Sequence, residues 1–225
     1  MRARRAGRVG LVLGILLSLG ACGPAPTPSP PAVTTPAVPT PAAQIYNVTG
    51  AGGTICRGAA GAAPCTPAAP ASLGYADDTI AAAPAGTLGV QATAVKIRLL
   101  ATAQLLLKAR SSLDAPQQFL LAAGQALFLH ENAAGEIEVA AGQLRIQPLD
   151  TAFSVDLAPS GAATVAVLTG TRGVVITGTT VLTLPAGQQV TASPDGQLAA
   201  PQPLDPHIQA LWDLYAIRIG DVVLP

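Results

Sequence analysis

The side chains able to do chemistry are few, and three cysteines in 225 residues come first. Cys22 ends the run Leu19-Gly20-Ala21-Cys22, an apolar residue and two small ones before a thiol. Small residues let a peptidase reach the bond before Cys22, and the thiol then takes a diacylglyceryl group, as in a bacterial lipobox. The alternative is an ordinary secretory cleavage site that falls beside a cysteine. Cys56 and Cys65 lie nine apart in TICRGAAGAAPCT. Outside the cytoplasm such a pair most simply forms a disulfide. Closing so short a loop stabilises by roughly 2–3 kcal/mol. A metal site would want His or acidic neighbours, and a redox pair the tighter Cys-x-x-Cys.

Ionisable groups are sparse. Charged residues make up 11% of the chain, against about a quarter in ordinary proteins. That leaves little for acid/base catalysis and no basic stripe for nucleic acid. There are two histidines. His130-Glu131 and the corner Pro185-Ala186-Gly187 faintly echo cupin motifs, but a cupin metal site needs several converging His. A lone His130 near a turn reads as a surface residue, and His207 falls in a terminal helix. No nucleophile elbow or phosphate-cradling Gly loop is present. The sequence therefore predicts no catalytic residues, no metal and no cofactor.

The ends of the chain explain its charge. Arg2, Arg4, Arg5 and Arg8 supply four of twelve cations, leaving eight against twelve acids once that segment is removed. Val9 to Leu19 is an apolar run rising only about 16 Å as a helix, too short for a bilayer core of about 30 Å. Residues 1–21 thus read as a signal peptide. Residues 22–43 are rich in Pro, Thr and Ala, a tether of extended polyproline type reaching up to about 65 Å. The expected partners are a membrane, through lipid on Cys22, and an envelope protein or glycan. The expected place is the extracytoplasmic face of a bacterial envelope.

Beyond the tether, residues 44–91 are Gly/Ala-rich with few bulky apolars, predicting one or two edge strands wrapped loosely on the main body. Residues 92–200 show short apolar runs broken every eight to twelve residues by Gly, Pro, Asn or Asp, which predicts an all-β domain. Val95-Lys96-Ile97-Arg98-Leu99 alternates, so Lys96 and Arg98 face water. Paired as a hairpin around Ala101–Ala103, this run and Gln104 to Arg110 would gather Lys96, Arg98, Lys108 and Arg110 on one outer face. That face is either a docking patch for an anionic glycan, phosphate or protein, or a solvated edge that discourages sheet pairing. The second reading is the simpler.

Ala-Gly-Gln recurs at Ala123, Ala141 and Ala186, predicting tight turns at Ala123-Gly124 and Ala141-Gly142. The unequal separations do not make a solenoid. Short strands with Gly corners suit a two-sheet β-roll or sandwich. The series Leu121-x-x-Gly124-x-Ala126-x-Phe128, Thr151-x-Phe153-x-Val155, Val165-x-Val167-x-x-Gly170-x-x-Gly173-Val174-x-Ile176 and Leu184-x-Ala186-Gly187-x-x-Val190 resembles the FecR domain over about residues 92–193. Asp150 stands where that family has Gly, and Gln125 where it often has an acid. The resemblance implies an extracytoplasmic, non-enzymatic β domain. In the family's best-known architecture a cytoplasmic segment grips a sigma factor and the β domain senses a transporter. Here the stretch before Cys22 reads only as a signal peptide, so the sigma-regulating role does not carry over.

Residues 201–225 close the chain. Asp205-Pro206 is a helix start, with Asp as N-cap and Pro at the first position, and Gly220 a stop. Ile208, Leu211, Trp212, Tyr215 and Ile219 share one face. That face either packs on the domain, the simpler reading, or docks a partner through Trp212 and Tyr215. The chain thus reads as a lipid-anchored FecR-like binding domain, a sensor or scaffold. The rival is a structural envelope protein that binds surface polymers through its cationic face.

Overall fold

Three apolar runs too long for one sheet set the architecture. Strands β9 (Gln117–His130), β11 (Leu144–Leu157) and β12 (Ala163–Thr177) have 14, 14 and 15 residues, against the usual five or six. Each bends midway and serves two sheets. The computed structural model describes residues 45–50, 52–58, 64–92, 95–112, 114–131 and 136–220, with backbone alone at 45, 171–174 and 216–220. The expected signal peptide, Cys22 and the expected tether lie outside the described residues.

The first half of β9 pairs with β8 (Gln104–Leu107) and, in parallel, with β10 (Ile137–Ala141). Its second half pairs with β7 (Val95–Leu99) and β11. Strand β11 pairs first with β10 and the end of β12, then with β9 and the start of β12. The start of β12 also takes β14 (Gln188–Ala192), and its end takes β13 (Thr180–Leu184).

The shorter strands extend both sheets. Sheet I gains β5 (Thr79–Ala82), β2 (Gly53–Cys56) and β3 (Cys65–Pro67) beyond β8. Sheet II gains β6 (Leu88–Gln91), β1 (Ile45–Thr49) and β4 (Ser72–Tyr75) beyond β7, and β15 (Gln202–Pro203) beyond β14. Hydrogen bonding runs on through the long strands, so the fifteen strands among the described residues form one sheet folded on itself. This is the two-sheet all-β roll with a terminal helix that the sequence suggests, although its three central strands are not short.

The folds in the sheet are made by backbone geometry. Ala123-Gly124 is not a turn between strands but a corner within β9. Gly124 has φ +72°, and a Cβ there would fall 2.8 Å from the Ala103 Cα. Ala141-Gly142 is a true turn, joining β10 to β11 with Gly142 at φ +55°.

Between the sheets lies one apolar core. Phe128 of β9 stacks on its cross-strand neighbour Phe153 of β11 at 4.9 Å between centroids. Tyr46 of sheet II meets Phe119 of sheet I edge-on at 6.1 Å. Residues 44–91 do not wrap loosely, as the sequence suggested. They supply six strands, and Tyr46, Val48, Ile55, Ile80, Leu88 and Val90 are core residues. Where Gly falls inside these strands, the neighbouring chain comes close to its backbone. A Cβ on Gly53, for instance, would fall 2.3 Å from the Ala81 carbonyl oxygen. Cys56 and Cys65 are joined as a disulfide across the β2–β3 pair.

The helix α1 runs Pro206–Gly220. The Asp205 carboxylate accepts a bond from the His207 N–H at 2.8 Å, the N-cap contact that starts it.

Candidate functional site

The outer face of sheet II is where structure departs furthest from the sequence reading. One cross-strand row there runs Gln189, Ala166, Ser154, Leu127, Arg98 from β14 to β7. Alternation turns these residues away from the core, toward water. Yet Leu127 is 0% exposed, Ala166 and Ser154 are buried, and Arg98 is 8% exposed. The adjoining Ala152 and Leu168 are buried as well, and none of the apolar members belongs to the core between the sheets.

Helix α1 accounts for this cover. It leaves β15 at the edge of sheet II, where the Asp205 N–H donates to the Gln189 side-chain oxygen. It then comes against β7, on the far side of β14, β12, β11 and β9. Five strand spacings of about 4.8 Å make roughly 24 Å. A helix of 15 residues is about 22 Å long, so α1 crosses the face as a strap. Ile208, Leu211, Trp212 and Tyr215 are its half-buried side chains, whereas Leu214 on the opposite side is 55% exposed. The shared face of Trp212 and Tyr215 is therefore the one laid toward the sheet.

The four expected cations do not form one face. Ala103 does close a turn onto the Leu100 carbonyl, but β7 and β8 on either side of it enter different sheets. Lys96 stands on the outer face of sheet II, 3.8 Å from the Glu131 carboxylate. Arg98, expected in water, is under the strap. Lys108 is exposed beyond β8. Arg110 lies near Tyr46, whose hydroxyl is pushed up from its ordinary pKa by burial; a bond with Gln117 and the Arg110 charge act the other way.

Beside Lys96 and Arg98 is a small cleft of about 20 Å³, lined also by Thr49, Gly89 and Gln91. That is room for about one water, not for a ligand. His130 is a buried residue, 1% exposed, at the end of β9 opposite Val95. It does not lie on the surface, because it falls on the inner side of β9, in step with Ala126 and Phe128 of the core. Among the described residues no three His, Cys, Asp or Glu side chains are grouped to hold a metal ion.

A second polar constellation escaped the sequence reading. Arg57, next to the disulfide, pairs with the buried carboxylate of Asp78 and donates to the Leu73 carbonyl at 3.0 Å. Its guanidinium also lies over the Tyr75 ring at 4.8 Å. Asp78 accepts from the Tyr75 N–H at 2.8 Å. Both backbone groups face outward from β4, so these side chains close that strand's free edge.

With this architecture in view, comparison with solved structures is informative. Two crystal structures of a candidate anti-sigma factor from Parabacteroides distasonis ATCC 8503, at 2.50 and 1.65 Å, match with a TM-score of 0.50 and 17% identity. The likeness is one of fold. It covers 60% of this chain and 63% of theirs, so the chain spans less than two thirds of those proteins' length. No protein-family model matches the chain, and no curated protein does.

Proposed function

We propose that this chain is a FecR-like binding domain, held at the extracytoplasmic face of a bacterial envelope by lipid on Cys22, where it acts as a sensor or scaffold. The observation that carries the reading is the folded two-sheet body on β9, β11 and β12. It corresponds to the series of apolar and Gly positions that resembles the FecR domain, and it shares its fold with a candidate anti-sigma factor. The disulfide in β2–β3 suits an oxidising compartment. Binding needs no reacting side chain, which fits a body with so few ionisable groups. The partner is an envelope protein that meets the α1 strap on its outer side, where Leu214 is exposed, while Trp212 and Tyr215 hold the strap against the sheet.

The rival reading, polymer binding through Lys96, Arg98, Lys108 and Arg110, has less support, because these residues are dispersed. The two separate experimentally. A photo-crosslinker at exposed Leu214 of the full chain, in intact cells, should capture one discrete envelope protein, and Trp212→Ala should weaken the capture. Salt should barely affect it, whereas a cationic polymer site loses affinity steeply with salt. Diffuse crosslinks, indifferent to Trp212→Ala, would count against the proposal.

A further inference from the structure

A folded sheet has free edges, and among the described residues three of the four are blunted. Strand β3 has three residues, ends in Pro67 and is stapled by the disulfide. Two outward groups of β4, the Leu73 carbonyl and the Tyr75 N–H, are taken by Arg57 and Asp78. Strand β15 has two residues, ends in Pro203 and leads at once toward α1. These are the devices by which β proteins keep their edges from pairing with other chains.

The fourth edge, β13, carries none of them. Among the described residues it pairs with β12 alone. Thr180-Val181-Leu182-Thr183-Leu184 has no charge and no proline, nor is there a charge anywhere from Thr177 to Gly187. Val181 is 64% exposed. On the inner side Leu184 is buried in the core, but Leu182 packs against it only in part. The core is thus incompletely closed at this end.

The register says which backbone groups are free. The two-residue turn Gly178-Thr179 makes Thr177 and Thr180 a mutually bonded pair, and bonded pairs alternate from there. Leu182 therefore bonds to Val175, while the N–H and C=O groups of Val181 and Thr183 point away from the sheet.

We propose that β13 is the surface through which two copies of this chain pair, antiparallel, about a two-fold axis at Leu182. In that register Val181 exchanges both bonds with Thr183 of the partner subunit, and Thr183 does so with Val181 of the partner subunit. Leu182 then faces Leu182 of the partner subunit as a close, non-hydrogen-bonded pair, which finishes the burial the monomer leaves incomplete. A second copy fits better than a charged partner, since an uncharged strand offers nothing to attract one and self-pairing brings no like charges together. The contact is a narrow one, so it is a weak association that anchoring to a common membrane strengthens.

The test uses the full chain in intact cells. A non-hydrogen-bonded pair has Cα atoms about 4.5 Å apart, within the roughly 4.4–6.8 Å a disulfide spans. On mild oxidation, Leu182→Cys should give a covalent dimer roughly tenfold above both the unsubstituted chain and Thr180→Cys, which is out of register. Independently, the otherwise unsubstituted chain in excess detergent should sediment as a concentration-dependent monomer–dimer mixture. Val181→Pro removes an outward N–H while leaving the β12–β13 pairing, and should shift that mixture to monomer with an unchanged circular dichroism spectrum. Equal crosslinking at Thr180→Cys, a chain monomeric at all concentrations, or a dimer indifferent to Val181→Pro would each overturn the proposal. So would a β13 occupied by an extended segment of another protein while the chain itself stays single.

Discussion

The backbone of Gly170 rests against that of Asp150. A Cβ on Gly170 would lie 2.2 Å from the Asp150 carbonyl oxygen and 2.7 Å from the Thr151 Cα. This is where β11 and β12 pass together from one sheet to the other, and both residues have positive φ, +48° for Asp150 and +112° for Gly170. Gly170→Ala meets steric conflict and backbone strain at once and should cost about 2–4 kcal/mol in chemical denaturation. Asp150 occupies the left-handed region that Asp tolerates and Gly prefers. Asp150→Gly, which restores the residue of the resembled family, should be neutral or stabilise by up to about 1 kcal/mol.

The cover on sheet II behaves as a second core. Leu127→Ala should cost about 2–4 kcal/mol, as for an inner-core Leu, although strand parity alone would make it a surface change. Ending the chain at Asp205 should raise binding of a hydrophobic dye while leaving the β spectrum. If Leu127→Ala moves the denaturation midpoint no more than a surface substitution does, α1 does not shield that face.

The edge of β4 depends on one buried carboxylate. Asp78→Ala leaves the Tyr75 N–H without its acceptor and Arg57 without its partner, and should cost roughly 2–3 kcal/mol. Asp78→Asn, which keeps an acceptor, should recover part of that loss. A cost below that of ordinary surface changes would contradict the role assigned to this side chain.

Asp156, on the outer face beside Thr164, has its pKa raised by partial burial. A carboxyl whose folded pKa lies above its unfolded value, near 3.9, favours folding while both states are protonated, and that advantage is lost as pH rises through the folded pKa. Asp156→Asn should therefore match the unsubstituted chain below about pH 4 and be the more stable at neutral pH. Urea midpoints across that range check the sign; a variant less stable at neutral pH contradicts it.

Much of the β body was legible because its devices are local. The Ala141-Gly142 turn, the inward set Val95, Ile97 and Leu99, and the Asp205-Pro206 helix start each act within a few residues, and each is found where the sequence puts it. Long-range pairing leaves no such local mark. Ala101–Ala103 looks like a hairpin turn, but whether β7 and β8 then join one sheet or two is decided by β9, which reaches both. The double-sided burial of the middle of β9 and β12 did leave a mark, the unbroken runs Ala126-Leu127-Phe128 and Val165-Ala166-Val167-Leu168, where one-sided strands would alternate. Arg57 and Asp78 are 21 residues apart, and no local pattern links them.

The tether is tested most directly at Cys22. In a bacterial host, the full chain should incorporate labelled fatty acid and fractionate with membranes, and Cys22→Ser should lose the label and leave the membrane fraction. A Cys22→Ser chain that is processed, labelled and membrane-bound like the original would contradict a domain held outside the cytoplasm by lipid on its first mature residue.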